Sequence, residues 1–210
     1  MRAARLSAPV VAAVAVTVFA ALALDVALGG PVSALDRRVS EWFRGYPGPA
    51  AMRALTLVSA MHAPRAIAGA TLILVALLFW RRDGRAVVLV LAAVPCGAAL
   101  NWLLKQGFER PRPDVGEGGF GPGDFAFPSG HAANSTLLYG SLALLALRRL
   151  EGRAARVGVV VAACAMVVLV ALSRVALRAH YPSDVLAAMA EGVAWLALCA
   201  AAIRLTADRR

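Results

Sequence analysis

Charge is scarce in this chain: Asp, Glu, Lys and Arg make up 16% of its 210 residues. A soluble domain of this size ordinarily carries about a quarter of its residues as charges, so a water-exposed globule is excluded first. Cysteine is equally sparse. Cys96, Cys164 and Cys199 are odd in number, lie inside apolar blocks and are widely spaced. That excludes a disulfide framework and a cysteine-built metal centre and leaves small apolar packing as their role. Histidine occurs three times, at His62, His131 and His180. Acidic side chains are too dispersed to form the carboxylate cluster that holds magnesium beside a phosphate. The basic excess, 22 Lys and Arg against 12 Asp and Glu, comes with no basic helix or aromatic reading surface, so nucleic acid is not an expected partner. No repeat of fixed period and no second domain stand out, and residues 1–210 read as one unit.

What the chain has in abundance is apolar sequence: 60% of residues are hydrophobic, and they come in long blocks. A hydrocarbon core of about 30 Å is crossed by roughly 20 apolar residues in a helix. Six such helices are expected, giving an all-α polytopic membrane bundle. They run from about Leu6 to Leu28, Ala66 to Trp80 with helix beginning near Ala50, and Ala86 to Leu104. Three more follow, at His131 to Leu147, Val157 to Ser173 and Asp184 to Ile203. Pro95-Cys96-Gly97 is a potential kink in the third, of a kind that neighbouring helices tolerate. The first block follows the basic start Met1 to Arg5, and Val32-Ser33-Ala34 has the form of a leader cleavage site. Its apolar run is longer than a usual leader core, which favours a retained helix.

The connecting segments differ in charge. The N-terminus, Arg81 to Arg85, Arg148 to Arg156 and the tail from Arg204 hold twelve basic and three acidic residues. By the positive-inside rule they are cytoplasmic, and both termini with them. Segments 34–61, 105–130 and 174–183 then face outward. In the first of these, Leu35, Val39, Trp42 and Phe43 fall near one helical face with charges between, as in an outer interfacial helix.

Polar residues capable of chemistry concentrate at two of the outward junctions. Lys105 and Arg112 precede the turn Pro128-Ser129-Gly130 and His131; Ser173-Arg174 precede His180 and Asp184. Three cations repel one another, so Lys105, Arg112 and Arg174 make sense around a polyanion. Arginine's planar fork suits phosphate oxygens, and lysine adds a point charge. The turn at Ser129 opens a helix whose first N–H groups form an anion site, and the Ser129 hydroxyl can cap that helix or donate to the anion. Phosphoryl transfer needs an in-line nucleophile, charge stabilisation and a proton for the leaving oxygen. His180, with Asp184 four residues on, is a candidate nucleophile whose ring a carboxylate orients. His131 is then the candidate general acid. The cations take over the electrostatic work of a metal, so no metal and no cofactor are expected.

Lys105-x6-Arg112-Pro113, Pro128-Ser129-Gly130-His131 and Ser173-Arg174-x5-His180-x3-Asp184 resemble, in order and spacing, the three signature motifs of the type 2 phosphatidic acid phosphatase (PAP2) superfamily. The motif core is 105–184, and the helix pattern extends the likeness along most of the chain. The resemblance implies a phosphohistidine on His180 with Asp184 as its partner, and His131 as the group that protonates the leaving group and later activates water. It also implies that Lys105, Arg112, Ser129, Gly130 and Arg174 bind the phosphate, without a metal. The expected activity is hydrolysis of a lipid phosphate or diphosphate monoester at the outer face of the cell membrane, polyprenyl diphosphate favoured over phosphatidylglycerophosphate and phosphatidic acid. A lipid phosphotransferase using the same histidine and a non-catalytic membrane scaffold are the alternatives.

Other features are given plainer readings. Gly116 to Gly121 matches G-x-G-x-x-G with no strand before it, so Gly116–Asp124 reads as an outer loop. His62 and Arg65 are placed structurally near the outer end of the second span. Arg110 and Arg178 sit beside motif positions without matching them and read as surface charges. Glu191 falls inside the sixth span, on the face of Asp184, where a carboxylate needs a partner; the sequence offers no account of it.

Overall fold

A computed structural model describes residues 7–46, 48–113 and 124–207, with side chains described up to Ile203. Among these residues the chain is all-helical, with eight helices: α1 (Ala8–Leu28), α2 (Pro31–Trp42), α3 (Pro49–Met61), α4 (Pro64–Trp80), α5 (Gly84–Phe108), α6 (Gly130–Leu147), α7 (Arg153–Ala176) and α8 (Pro182–Ala207). Proline opens α1, α2, α3 and α4 in its first turn, where its missing N–H leaves no intrahelical bond unmade. The Gly116–Asp124 loop lies outside the described residues, Asp124 excepted.

α6 is the central helix. It packs against α4, α5, α7 and α8, while α1 lies along α8 and α3 lies on α7. Ile67, Leu89, Val90, Leu137, Leu138 and Leu196 form the largest apolar cluster, where α4, α5, α6 and α8 meet. Large apolar side chains such as Val14, Leu72, Ile73, Phe79, Val161 and Leu172 point outward. An apolar exterior of this kind is matched to hydrocarbon and not to water.

Four helices are long and apolar enough to cross a membrane: α1, α5, α7 and the Pro182–Ile203 part of α8. α3 and α4, bent by 50° at the break between Met61 and Pro64, make up to a fifth. The sequence reading of six spans therefore is not reproduced by length and apolarity alone. The difference falls on α6, which carries buried Asn134, Ser135, Thr136 and Ser141. Surrounded by other helices, α6 needs no lipid-compatible face. α5 runs unbroken through Pro95.

Small residues set how closely these helices approach, as is common inside membranes. A Cβ on Gly192 of α8 would lie 2.9 Å from the Thr136 Cβ and 3.3 Å from the Ala133 carbonyl of α6. At the far end of the bundle from Ser129, Arg149 reaches Asp83 at 3.3 Å. This joins the two short basic turns at one end.

α2 is held where its sequence alone does not indicate. α1 ends on Gly29 in the left-handed region (φ 66°). The Asp25 carboxylate then accepts bonds from Val32 N (3.2 Å), Ser33 N (2.9 Å) and the Ser33 hydroxyl (3.2 Å), capping α2. A Cβ on Gly30 would overlap the Asp25 carboxylate. The inward face of α2 is polar, with Ser33, Asp36 and Ser40 buried. Val39 and Phe43 pack on α7 and α8, whereas Leu35 and Trp42 are exposed. The apolar face expected from sequence is thus split in two.

Gly192→Val should separate α6 from α8 and lower stability by about 1–3 kcal/mol, the usual range for overpacking. Thermal unfolding in detergent measures it, with Gly192→Ala giving the smaller loss.

Candidate active site

Two stretches of chain lie side by side at the end of α5. Glu109 takes the left-handed conformation (φ 48°) and ends the helix, turning the chain into Arg110-Pro111-Arg112-Pro113. The segment entering α6 pairs with it through Ala126 N to Arg110 O at 2.8 Å. Lys105, in the last turn of α5, donates to Phe125 O at 2.6 Å. Arg112 is buried; its Nε donates to Asp124 O at 3.0 Å, Nη1 to Ala179 O at 3.0 Å, and Nη2 to the Asp124 carboxylate. The Arg174 carbonyl at the end of α7 accepts from Ala179 N and His180 N, folding His180 back toward Arg112. Ser129 N donates to Asp184 O at 3.1 Å, which joins the starts of α6 and α8. The residues expected at two distant junctions are therefore brought to one end of the bundle.

His180 is only 1% exposed, and its tautomer follows from its neighbours. Nδ1 lies 2.7 Å from Ala126 O; a carbonyl only accepts, so Nδ1 carries the proton. Nε2 then keeps its lone pair and receives Arg112 Nη1 at 3.2 Å. Burial and the cations Arg112, Lys105 and Arg174 hold the imidazole well below its usual range, against the opposing pull of the Ala126 carbonyl. The ring is neutral, with one nitrogen fixed and the other turned toward the cations.

The expected orienting contact from Asp184 is not made as a hydrogen bond. Its Oδ2 lies 3.7 Å from His180 Nδ1, beyond hydrogen-bond length. The i+4 spacing misleads here because His180 lies ahead of α8, in a turn, and Asp184 in the first turn of that helix. Asp184 Oδ2 instead accepts from Tyr181 N at 2.7 Å, and Oδ1 from Arg110 Nη1 at 2.5 Å.

Arg110 is consequently no surface charge. Its side chain is 11% exposed and stacks over the Tyr181 ring at 4.3 Å. Nη1 also donates to Ser183 Oγ at 2.8 Å, and Nη2 donates to Asp36 Oδ2 at 2.9 Å. Asp36 in turn accepts from Ser183 N at 3.0 Å and from the Ser183 hydroxyl. Burial works against the Arg110 charge, but the Asp184 and Asp36 carboxylates outweigh it and raise its pKa.

Ser129 is the N-cap residue of α6, yet its hydroxyl makes no capping bond. The oxygen is buried with no partner, so of its two expected uses, capping is not the one taken. Gly130 follows; a Cβ there would lie 3.3 Å from Asn101 Oδ1 and 3.9 Å from Lys105 Cε. His131, half-buried in the first turn of α6, is within electrostatic range of Arg174, His180 and Arg112. Arg174 is buried, with Nη1 on the Ser59 hydroxyl of α3 and Nε without a partner. Among the described residues, no three His, Cys, Asp or Glu side chains gather as metal ligands. The arrangement is a cluster of cations around a neutral imidazole, with the Ser129 hydroxyl and Arg174 Nε unpartnered beside it.

The family model of the PAP2 superfamily matches residues 83–206. The chain belongs to the PAP2 superfamily. Phosphatidylglycerophosphatase B of Bacillus subtilis (strain 168) is 34% identical over 122 residues, 55% of this chain and 56% of that protein. That match spans only about half of the relative's length. The crystal structure of a transmembrane PAP2-type phosphatidylglycerolphosphate phosphatase from Bacillus subtilis superposes with a TM-score of 0.79 at 26% identity, covering 91% of this chain and 96% of that one. Aquifex aeolicus LpxE shares the fold, with a TM-score of 0.58 at 18% identity over 78% of this chain and 93% of that one. With these likenesses, the apolar helices mark this PAP2 chain as an integral membrane protein.

Further residues join the PAP2 motifs in space. Asp36 went unread and Arg110 was read as a surface charge because the two meet across 74 positions of sequence; the one available signal was an acidic residue within an apolar helical face. His62 is buried, with Nδ1 donating to Val58 O and Nε2 receiving the Tyr139 hydroxyl, both at 2.7 Å. That is the structural placement expected for it. Glu191 is buried and accepts from Asn101 Nδ2 at 2.8 Å.

An unpartnered buried hydroxyl contributes nothing to folding. Ser129→Ala should leave the thermal midpoint unchanged or slightly raised, and a clear drop would mean that the hydroxyl has a structural partner.

Proposed function

We propose that this chain is a membrane lipid phosphatase acting as one domain, with His180 as nucleophile and a phosphohistidine intermediate. The observation that carries the reading is the fixed tautomer of His180. Its Nδ1 proton is committed to Ala126 O, and its Nε2 lone pair faces Arg112. A nucleophile needs that nitrogen unprotonated, and the surrounding cations keep it so.

In the first step Nε2 attacks phosphorus, the bond to the lipid oxygen breaks, and His131, entering as imidazolium beside the negative charge of the bound phosphate, gives that oxygen its proton and is left neutral. Negative charge on the equatorial oxygens is met by Lys105, Arg112, Arg174, the Ser129 hydroxyl and the N–H groups opening α6, with Gly130 allowing close approach. Asp184 stands 3.7 Å from Nδ1, close enough to steady positive charge developing on the ring. Water then attacks phosphorus, His131 takes its proton, and the P–N bond breaks to return a neutral His180. No step draws on a metal ion or cofactor.

The substrate is a lipid phosphate. The names of the Bacillus subtilis relatives favour phosphatidylglycerophosphate over the polyprenyl diphosphate suggested by sequence. The site faces the extracytoplasmic side. Arg149 and Asp83 join the basic turns at the opposite end, where the positive-inside rule puts the cytoplasm. With α6 counted as a shielded sixth span, and α3 and α4 as one broken span, both termini are cytoplasmic. A phosphotransferase would form the same intermediate and pass phosphate to an acceptor alcohol.

The decisive assay is phosphate release by purified protein from phosphatidylglycerophosphate, phosphatidic acid and polyprenyl diphosphates, with EDTA present. His180→Ala should abolish release in a folded protein, and His131→Ala should lower it about 10²- to 10⁴-fold; full turnover in the first variant removes the nucleophile.

The pH dependence has a definite sign. Protonation of His180 removes its attacking lone pair and so contributes an acid limb. A pKa held below the ordinary imidazole value of about 6.5 extends activity to lower pH. The acid limb of kcat/KM should therefore fall below that value; a limb above it contradicts the burial and charge described for the ring.

A further inference from the structure

The geometry points to Arg110, held by Asp36 of α2, as the positioning residue that divides the Asp184 charge and so sets the proton affinity of His180. This rests on the reading of His180 as nucleophile and goes beyond the motif residues, of which Arg110 and Asp36 are not members.

Arg110 reaches the nucleophile by two routes. Its carbonyl accepts from Ala126 N at 2.8 Å, and the same Ala126 offers its carbonyl to His180 Nδ1 at 2.7 Å. Its guanidinium holds Asp184 Oδ1 at 2.5 Å, while the other oxygen of that carboxylate stands 3.7 Å from the same Nδ1. One residue thus fixes the acceptor that selects the His180 tautomer and also neutralises the carboxylate behind it. Both Nη atoms are occupied by Asp184, Ser183 and Asp36, so Arg110 acts through its neighbours and not on phosphate.

The electrostatic consequence has a sign. The groups facing His180 are Lys105 from α5, Arg112 from the turn after it, His131 from α6, Arg174 from α7 and Asp184 from α8. Asp184 is the acidic member of that set, with Asp124 engaged by Arg112. Removing the Arg110 charge leaves Asp184 without its cation beside the ring, held by Tyr181 N alone, and favours the imidazolium. Removing the Asp36 charge does the reverse: the guanidinium then answers to Asp184 alone, and the imidazolium is disfavoured. A purely structural clamp would move both variants alike.

The test is the pH profile of kcat/KM for wild type, Arg110→Gln, Arg110→Lys and Asp36→Asn, each with a thermal midpoint. Arg110→Gln should move the acid limb upward by on the order of one pH unit and lower kcat more than it changes KM. Arg110→Lys keeps the charge but loses the fork; its limb should stay near wild type at reduced kcat. Asp36→Asn should leave the limb at or below its wild-type position. An unmoved limb in Arg110→Gln, or the same upward movement in Asp36→Asn, overturns the proposal. Should Arg110→Gln not fold, an upward limb in Arg110→Lys or Asp36→Asn overturns it equally. Wild-type activity that survives His180→Ala would instead refute the nucleophile itself, a failure read before any of these profiles.

Discussion

Lys105, Arg112 and Arg174 converge on a buried rim in which most of their partners are neutral oxygens: Phe125 O, Ala179 O and the Ser59 hydroxyl. Asp124 answers part of the Arg112 charge, and Glu191 lies within electrostatic range of Lys105. At the low effective dielectric of a protein interior such cations repel one another strongly. The fold tolerates them because each is anchored separately, by the end of α5, the turn after it and the end of α7. Under the proposed function, an arriving phosphate brings the negative charge that this set of cations attracts. The low proton affinity of His180 follows from burial beside that set.

Much of this arrangement was legible in the sequence because spacing and charge type carry it. The turn at Pro128-Ser129-Gly130, the helix it opens and the grouping of His131 with His180 came from short motifs whose chemistry is local. The membrane character followed from block length. What stayed hidden was set by contacts between distant segments. Asp36 is one acidic residue on an amphipathic helix until Ser183 and Arg110 are seen against it. Arg110 beside Arg112 has the pattern of a solvated charge, and only the pairing of residue 110 with residue 126 turns it inward.

The span count shows the same limit from the other side. α6 carries Asn134, Ser135, Thr136 and Ser141 where apolarity alone would ask for leucines. Its burial by four other helices makes lipid compatibility irrelevant to it. A helix is judged as a span by its own composition, whereas its surroundings are a property of the whole bundle. Glu191 belongs to this class as well. Asn101, one turn before Lys105 on α5, donates to it, so a carboxylate without an account in sequence acquires a partner from a neighbouring helix.

The Ser129 hydroxyl and the Arg174 Nε are buried without a hydrogen-bond partner. Groups left in that state reward any tetrahedral oxyanion that reaches them, free orthophosphate no less than its ester. Under the proposed chemistry, the fit that draws the substrate in also delays departure of the inorganic product. The slow event of turnover is then as readily product escape as bond cleavage, and selectivity must come from the hydrocarbon part of the molecule, which the released ion no longer carries.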